Sequence, residues 1–416
     1  MRSLAKTRLG GRPAAILAAL SFAAATSASA ADGLVINEQL QLGDVFSTQT
    51  LNVEEAPQGL SGTTTAVGNI VSGIGDAGLP MNFQSDQDLR ARVEASTNAA
   101  VYGPTGRFFV TDTSATGNSG TAGTCCALTQ GSSIQAIGAS GAVVANATSR
   151  TDDNAASISV DTSAIGNTQG WNQRNGEIQA WTRQTNAGLV ASTNTSTLVG
   201  GPGNIGLSAT AVSNNVTGDV SGAHSDIGVE QDRTGAVQAT VNAGIGWGTD
   251  VQTTATATGN LVNSQVGGPE SAMNVRQTAS APLDATSNLA LDEWFGEAST
   301  VGYGVGNSIL MSNVGQQTTL YTEQTSGGDV NATASFSGRQ GDGGVLASAT
   351  AMGNAVSGYA CAECAGDFGG FNRQVNDSRV RAHSNVVVTG RSGLISGEAT
   401  AIGNSATYRV FSNGGR

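Results

Sequence analysis

A six-residue phrase returns along this chain at nearly even steps, and that return limits the fold more than any other feature. "ATATGN" ends at Asn260, and close copies end at Asn69, Asn118, Asn167, Asn214, Asn307, Asn354 and Asn404. The steps between successive asparagines are 49, 49, 47, 46, 47, 47 and 50 residues. A period of this size over most of a chain predicts stacked units that share one continuous core, not separate domains.

Composition agrees with thin, regular layers. The chain has 58 Gly, 5% aromatic and 12% charged residues, too little bulk to fill a large globular core densely. Disorder is disfavoured, because only 7 Pro are present and the apolar positions are evenly spaced.

Each repeat carries three strand-like segments between Gly-rich or polar turns. The first contains a glutamine seventeen residues after the marker: Gln135, Gln184, Gln231, Gln277 and Gln324, with Gln87 and Gln374 displaced by one and three places. The second alternates apolar and polar residues, as in "VQATVNAGI" from Val237. The third is the marker strand, which is expected to end in a turn at its Asn. The predicted fold is all-β, a parallel β-solenoid of about seven repeats, drawn out into a rod. Stacked equivalent positions lie about 4.8 Å apart, the spacing at which side-chain amides hydrogen-bond along a column. The markers are therefore read as an Asn ladder and the glutamines as a second, Gln ladder. The position three before the marker is Ala in seven of eight copies and Gly304 in the other, which implies a tight spot. Whether that Ala face or the Thr/Val face points inward is left open by the pattern.

The predicted organisation is a signal peptide over 1–30, an N-terminal cap and first partial repeat over 31–68, the repetitive solenoid over 69–404 and a C-terminal tail over 405–416. The leader has a basic start (Arg2, Lys6, Arg8, Arg12), an apolar middle and Ala28-Ser29-Ala30 as cleavage site. Removing it takes four of the 19 basic residues and none of the 31 acidic ones, so 15 minus 31 leaves a net charge of −16. Every remaining cation is Arg. So acidic a surface argues against nucleic acid as a partner.

The cysteines form the vicinal pair Cys125-Cys126 and the pair Cys361 and Cys364, each starting seven residues after a marker. Five repeats put the pairs about 24 Å apart or farther, which forbids a bridge between them. A local disulfide between Cys361 and Cys364 is expected instead. No metal and no cofactor is expected, since the two histidines, His224 and His383, lie in no spaced Cys/His motif.

Motifs of catalysis are missing. "GPGNIG" from Gly201 matches G-x-G-x-x-G, but it opens onto a strand where a dinucleotide site needs a helix. There is no G-x-S-x-G, no H-E-x-x-H and no P-loop lysine. "GIGDAG" and "GRQGDGG" are isolated and lack the tandem array that calcium nonapeptides need. The pairs Glu54-Glu55 and Asp292-Glu293 read as solvated turn charges.

One constellation stands out. Tyr102, Trp247 and Trp294 lie 33, 33 and 34 residues after their markers, each followed within two residues by Gly. They share one corner of the repeat and form a candidate platform for stacking sugar rings. The alternative is that they fold over the coil and seal a small-residue core.

With "VINEQLQLGDVF" at one end, "ATAIGNSATYRVF" at the other and the Gln and Asn spacing between, the chain resembles the holdfast attachment protein D family. That family belongs to the Hfa system, which fixes the adhesive polysaccharide of stalked bacteria to their envelope. The resemblance implies a structural, non-enzymatic protein that is exported and associated with the outer membrane at the cell surface. It also implies an exopolysaccharide partner, an outer-membrane lipoprotein exporter and a small curli-like subunit. The amide columns look like those of curlin repeats, which leaves self-association open. The rival readings are a polysaccharide-degrading enzyme on a parallel β-helix and a self-polymerising amyloid-like fibre subunit.

Overall fold

The computed structural model describes residues 33–75, 78–360 and 367–410. The leader and the Cys361–Cys364 pair lie outside the described residues, so neither reading is addressed by it. All strand pairing is parallel, and partners lie one repeat apart, as in Gln184 against Gln231 and Asn214 against Asn260. One repeat is therefore one coil.

Eight coils stack. Coil 1 is Gly33–Gln41, Val45–Val53 and Leu60–Ile74. Coil 8 is Asp367–Asn376, Val380–Val388 and Leu394–Val410. Between them the marker strand often runs unbroken into the first strand of the next coil, as in Phe109–Ile137 and Ile158–Asn186. Residues 33–74 thus form a full three-stranded coil in register, where the sequence suggested a cap and a partial repeat. The reason that coil was missed is simple: its Gln39 precedes the first marker, and it pairs with Gln87.

The turn expected at each marker Asn is not there. The strand passes straight through Gly-Asn, and none of the markers has a positive φ. Instead the side-chain alternation slips, so that two consecutive residues, Gly166 and Asn167 for example, both face inward. The strand bends there and presents one half to each neighbour. Only a residue without Cβ fits the bend: a Cβ on Gly117 would sit 2.6 Å from the Gly166 carbonyl oxygen of the next coil.

The bend divides the interior into two apolar cores. In one, the middle strands pack on the first half of the marker strands, through layers such as Val143, Ala145, Val190 and Ala164. In the other, the second half packs on the Gln strands, through Phe83, Trp171, Ile227 and Met273. The Ala face is the inner one: Ala115, Ala164, Ala211, Ala257 and Ala351 are all fully buried.

Between the cores run the two amide columns. Asn167 Nδ2 donates to Asn214 Oδ1 at 2.8 Å and also to the Thr185 carbonyl at 3.0 Å. Gln184 Nε2 donates to Gln135 Oε1 at 2.8 Å and to the Asn215 carbonyl at 2.9 Å. The same pair of bonds recurs from coil to coil, and the two columns donate in opposite directions along the axis. Gln87 and Gln374 join the column despite their displaced spacing, because turn length varies while strand register does not.

The body is not the slender rod that the repeat suggested. Eight coils rise only about 38 Å at the interstrand spacing, while the straight strand Val45–Val53 is already about 30 Å long, so height and width are comparable. A coil of this circumference makes a squat prism.

Among the described residues Arg233 is the one charged side chain in the interior. It is fully buried, and burial lowers its pKa to about 10. Its guanidinium donates to the carbonyls of Gly235, Pro282 and Ala281 at 3.0, 3.1 and 2.9 Å, tying the turns of two successive coils together.

Candidate polysaccharide-binding corner

The corner after the middle strands is where the three aromatics were expected to meet. Tyr102 is 51% exposed and Trp247 is half-buried, but Trp294 is fully buried. Trp294 is therefore no stacking platform, which corrects its place among the candidates. Its ring lies edge-on to Phe336 at 5.3 Å, and its indole N–H donates to the Gly343 carbonyl at 3.2 Å. Trp247 stands against Glu293, while Trp294 stands against Gly248. The spacing of 34 instead of 33 is a one-residue slip, and one residue turns a strand side chain to the opposite face.

The side chain that stands beside Trp247 is Phe295, which the sequence reading passed over. It is 54% exposed and meets the Trp247 ring edge-on at 6.1 Å. The Trp247 indole N–H donates to Asn154 Oδ1 at 2.9 Å, two coils away. It crosses the "GPGNIG" segment, which is glycine-rich for packing: a Cβ on Gly201 would lie 1.8 Å from the Ala155 carbonyl oxygen.

An open trough of about 650 Å³ runs along the axis here, from Arg150 in coil 3 to Arg339 in coil 7. Thr195, Thr197, Val199, Trp247, Asp292 and Glu293 line it between those ends. Arg150 holds Asp152 through two bonds of 2.7 and 3.0 Å, and its guanidinium sits 5.8 Å from the centre of the Tyr102 ring. At the other end Glu293 accepts from Arg339 at 2.9 Å and Gln340 at 3.1 Å. Arg150, Asp152, Glu293 and Arg339 are thus paired and fixed, while the exposed side chains of Asp292, Thr195 and Thr197 line the trough between them. Exposed ring faces interleaved with rigid polar groups suit a neutral or weakly charged sugar chain laid across coils.

A family model for holdfast attachment protein D matches residues 54–329, a stretch that includes the whole corner from Tyr102 to Phe295. The chain belongs to the holdfast attachment protein D family. No curated protein and no solved structure matches it. Holdfast attachment is the family's role, and it implies an exported or cell-surface protein.

The other singled-out residues lie apart from this corner. Cys125 and Cys126 are joined to each other where the strand Phe109–Ile137 passes from coil 2 into coil 3, with Cys126 at φ 69°. Among the described residues no group of three His, Cys, Asp or Glu side chains is placed to hold a metal. Asp112 and Asp161 face outward side by side in adjacent coils. Partial burial and then the charge of Asp161 raise the pKa of Asp112.

Proposed function

We propose that this holdfast attachment protein is a structural adhesin that grips the adhesive exopolysaccharide in the corner trough and so joins it to the outer envelope. The observation that carries the reading is the trough itself: Trp247 lines it, with Phe295 against the Trp247 ring and Tyr102 against the Arg150 guanidinium, and Arg150 and Glu293 are held by fixed partners. An extended polymer laid along the axis would meet a new coil about every 4.8 Å, so many weak contacts add along one chain. The outer-membrane lipoprotein exporter and the small curli-like subunit are proposed as the partners that deliver the protein and share the surface with it. The enzyme reading finds less support. Asp112 and Asp161, an outward carboxylate pair in adjacent coils, lie on the marker strands and not among the residues of the trough, and Asp161 is bonded by Ser159 and Ser208.

The test uses purified protein and purified holdfast polysaccharide in a binding titration. Trp247→Ala with Phe295→Ala should weaken binding by about 1 to 3 kcal/mol, or roughly 5- to 150-fold, the usual worth of aromatic contacts. Far-ultraviolet circular dichroism should be unchanged. Unaltered affinity in a folded double variant would remove the trough as the binding site.

A further inference from the structure

The two ends of the solenoid differ, and they fit each other. Among the described residues, each strand of coils 1 and 8 is paired on one side only. Both ends are therefore open sheet edges with unfilled backbone donors and acceptors.

The amide columns give each edge a polarity. At the coil 1 end, Gln39 Nε2 donates only to the Ile70 carbonyl and has a proton to spare, while Asn69 Oδ1 accepts nothing. At the coil 8 end the roles reverse: Gln374 Oε1 accepts nothing, and Asn404 Nδ2 donates to nothing. We infer that a second copy of this chain docks head to tail, coil 8 of one copy on coil 1 of the next, continuing both ladders through the junction. Gln39 then donates to Gln374 of the preceding copy, and Asn404 donates to Asn69 of the following one.

The remaining columns agree. The position before the ladder Gln reads Arg183, Glu230, Arg276, Glu323, Arg373 in coils 4 to 8, alternating in sign, and coil 1 places Glu38 there. Stacking sets Arg373 on Glu38 and continues the alternation. Asp44 falls opposite Arg379 in the same way. Phe371, 58% exposed, falls on Ile36, 70% exposed, and Val375 falls on Leu40. The separations 39 to 374, 44 to 379 and 69 to 404 are equal, so all three strands meet without a register shift. Residues 33–75 carry four carboxylates and no cation, whereas residues 367–410 carry five arginines against three carboxylates. Like ends do not fit: coil 1 against coil 1 brings together two faces that carry carboxylates and no cation. An interface that joins unlike faces is heterologous and open, so it grows a filament from squat prisms.

The junction is independent of the trough and can be tested apart from it. The chain, purified as the cell exports it, is followed by sedimentation velocity over a concentration series. The wild type should lengthen with concentration. Glu38→Arg alone and Arg373→Glu alone should each weaken association about tenfold or more, since like charges meet at every junction. The equimolar mixture of the two, and the double variant, should associate again. Asp44→Arg and Arg379→Glu repeat the design should either first variant misfold. A wild type that stays monomeric, single reversals without effect, or a defect confined to one end's variant would each overturn the inference.

Discussion

Replacing Trp294 with Ala is expected to destabilise the solenoid by about 3 to 5 kcal/mol, the usual cost of emptying a large aromatic site in a core. The site was built for this ring. Cβ atoms on Gly338 and Gly341 would lie 2.7 and 2.2 Å from it, so two glycines in the next coil make its room. Small neighbours of this kind cannot close over the void. Trp247→Ala is expected to cost about 1 kcal/mol or less, because its half-exposed ring loses one hydrogen bond and one edge contact. Urea denaturation followed by circular dichroism separates the two. Equal midpoints for both variants would contradict the assignment of one Trp to the core and the other to the surface.

The second large effect should come from the middle of the Asn column. Asn214→Leu removes a side chain that both donates to Asn260 and accepts from Asn167. It leaves one buried N–H and one buried carbonyl oxygen without partners, at about 1 to 3 kcal/mol each. The expected loss is therefore about 2 to 6 kcal/mol. The same change at Asn404 orphans only the Asn354 donor, at an exposed edge that water reaches, and should cost about 1 kcal/mol or less. A position-dependent loss is the signature of a continuous ladder. Equal, small losses at both sites would mean that the amides act singly.

These contrasts also show which parts of the molecule the sequence made legible. The period, the strand content and the two amide columns could be read because they depend on identity repeated at fixed spacing. The direction of the Ala face could not, since alternation alone is symmetric until the bend is known. The bend was hidden for the same reason: Gly-Asn is ordinary turn chemistry, and only stacking shows that the pair is driven inward by the next coil's backbone. At the corner, the spacing of 34 at Trp294 against 33 at Trp247 was visible, yet its meaning rested on strand register. The sequence reading treated one residue as tolerance where the sheet treats it as a change of face. Phe295 was missed by that slip. The proportions of the body were misjudged because the period was read as length, when most of each repeat goes into circumference.

In the proposed division of labour the corner trough holds the polysaccharide while the buried columns hold the scaffold. The most direct measurement is made on cells carrying Trp247→Ala with Phe295→Ala, scoring two quantities together: the protein accessible to external protease, and the polysaccharide shed into the medium. Wild-type surface abundance with increased shedding is the predicted result. Wild-type abundance with wild-type retention would contradict it.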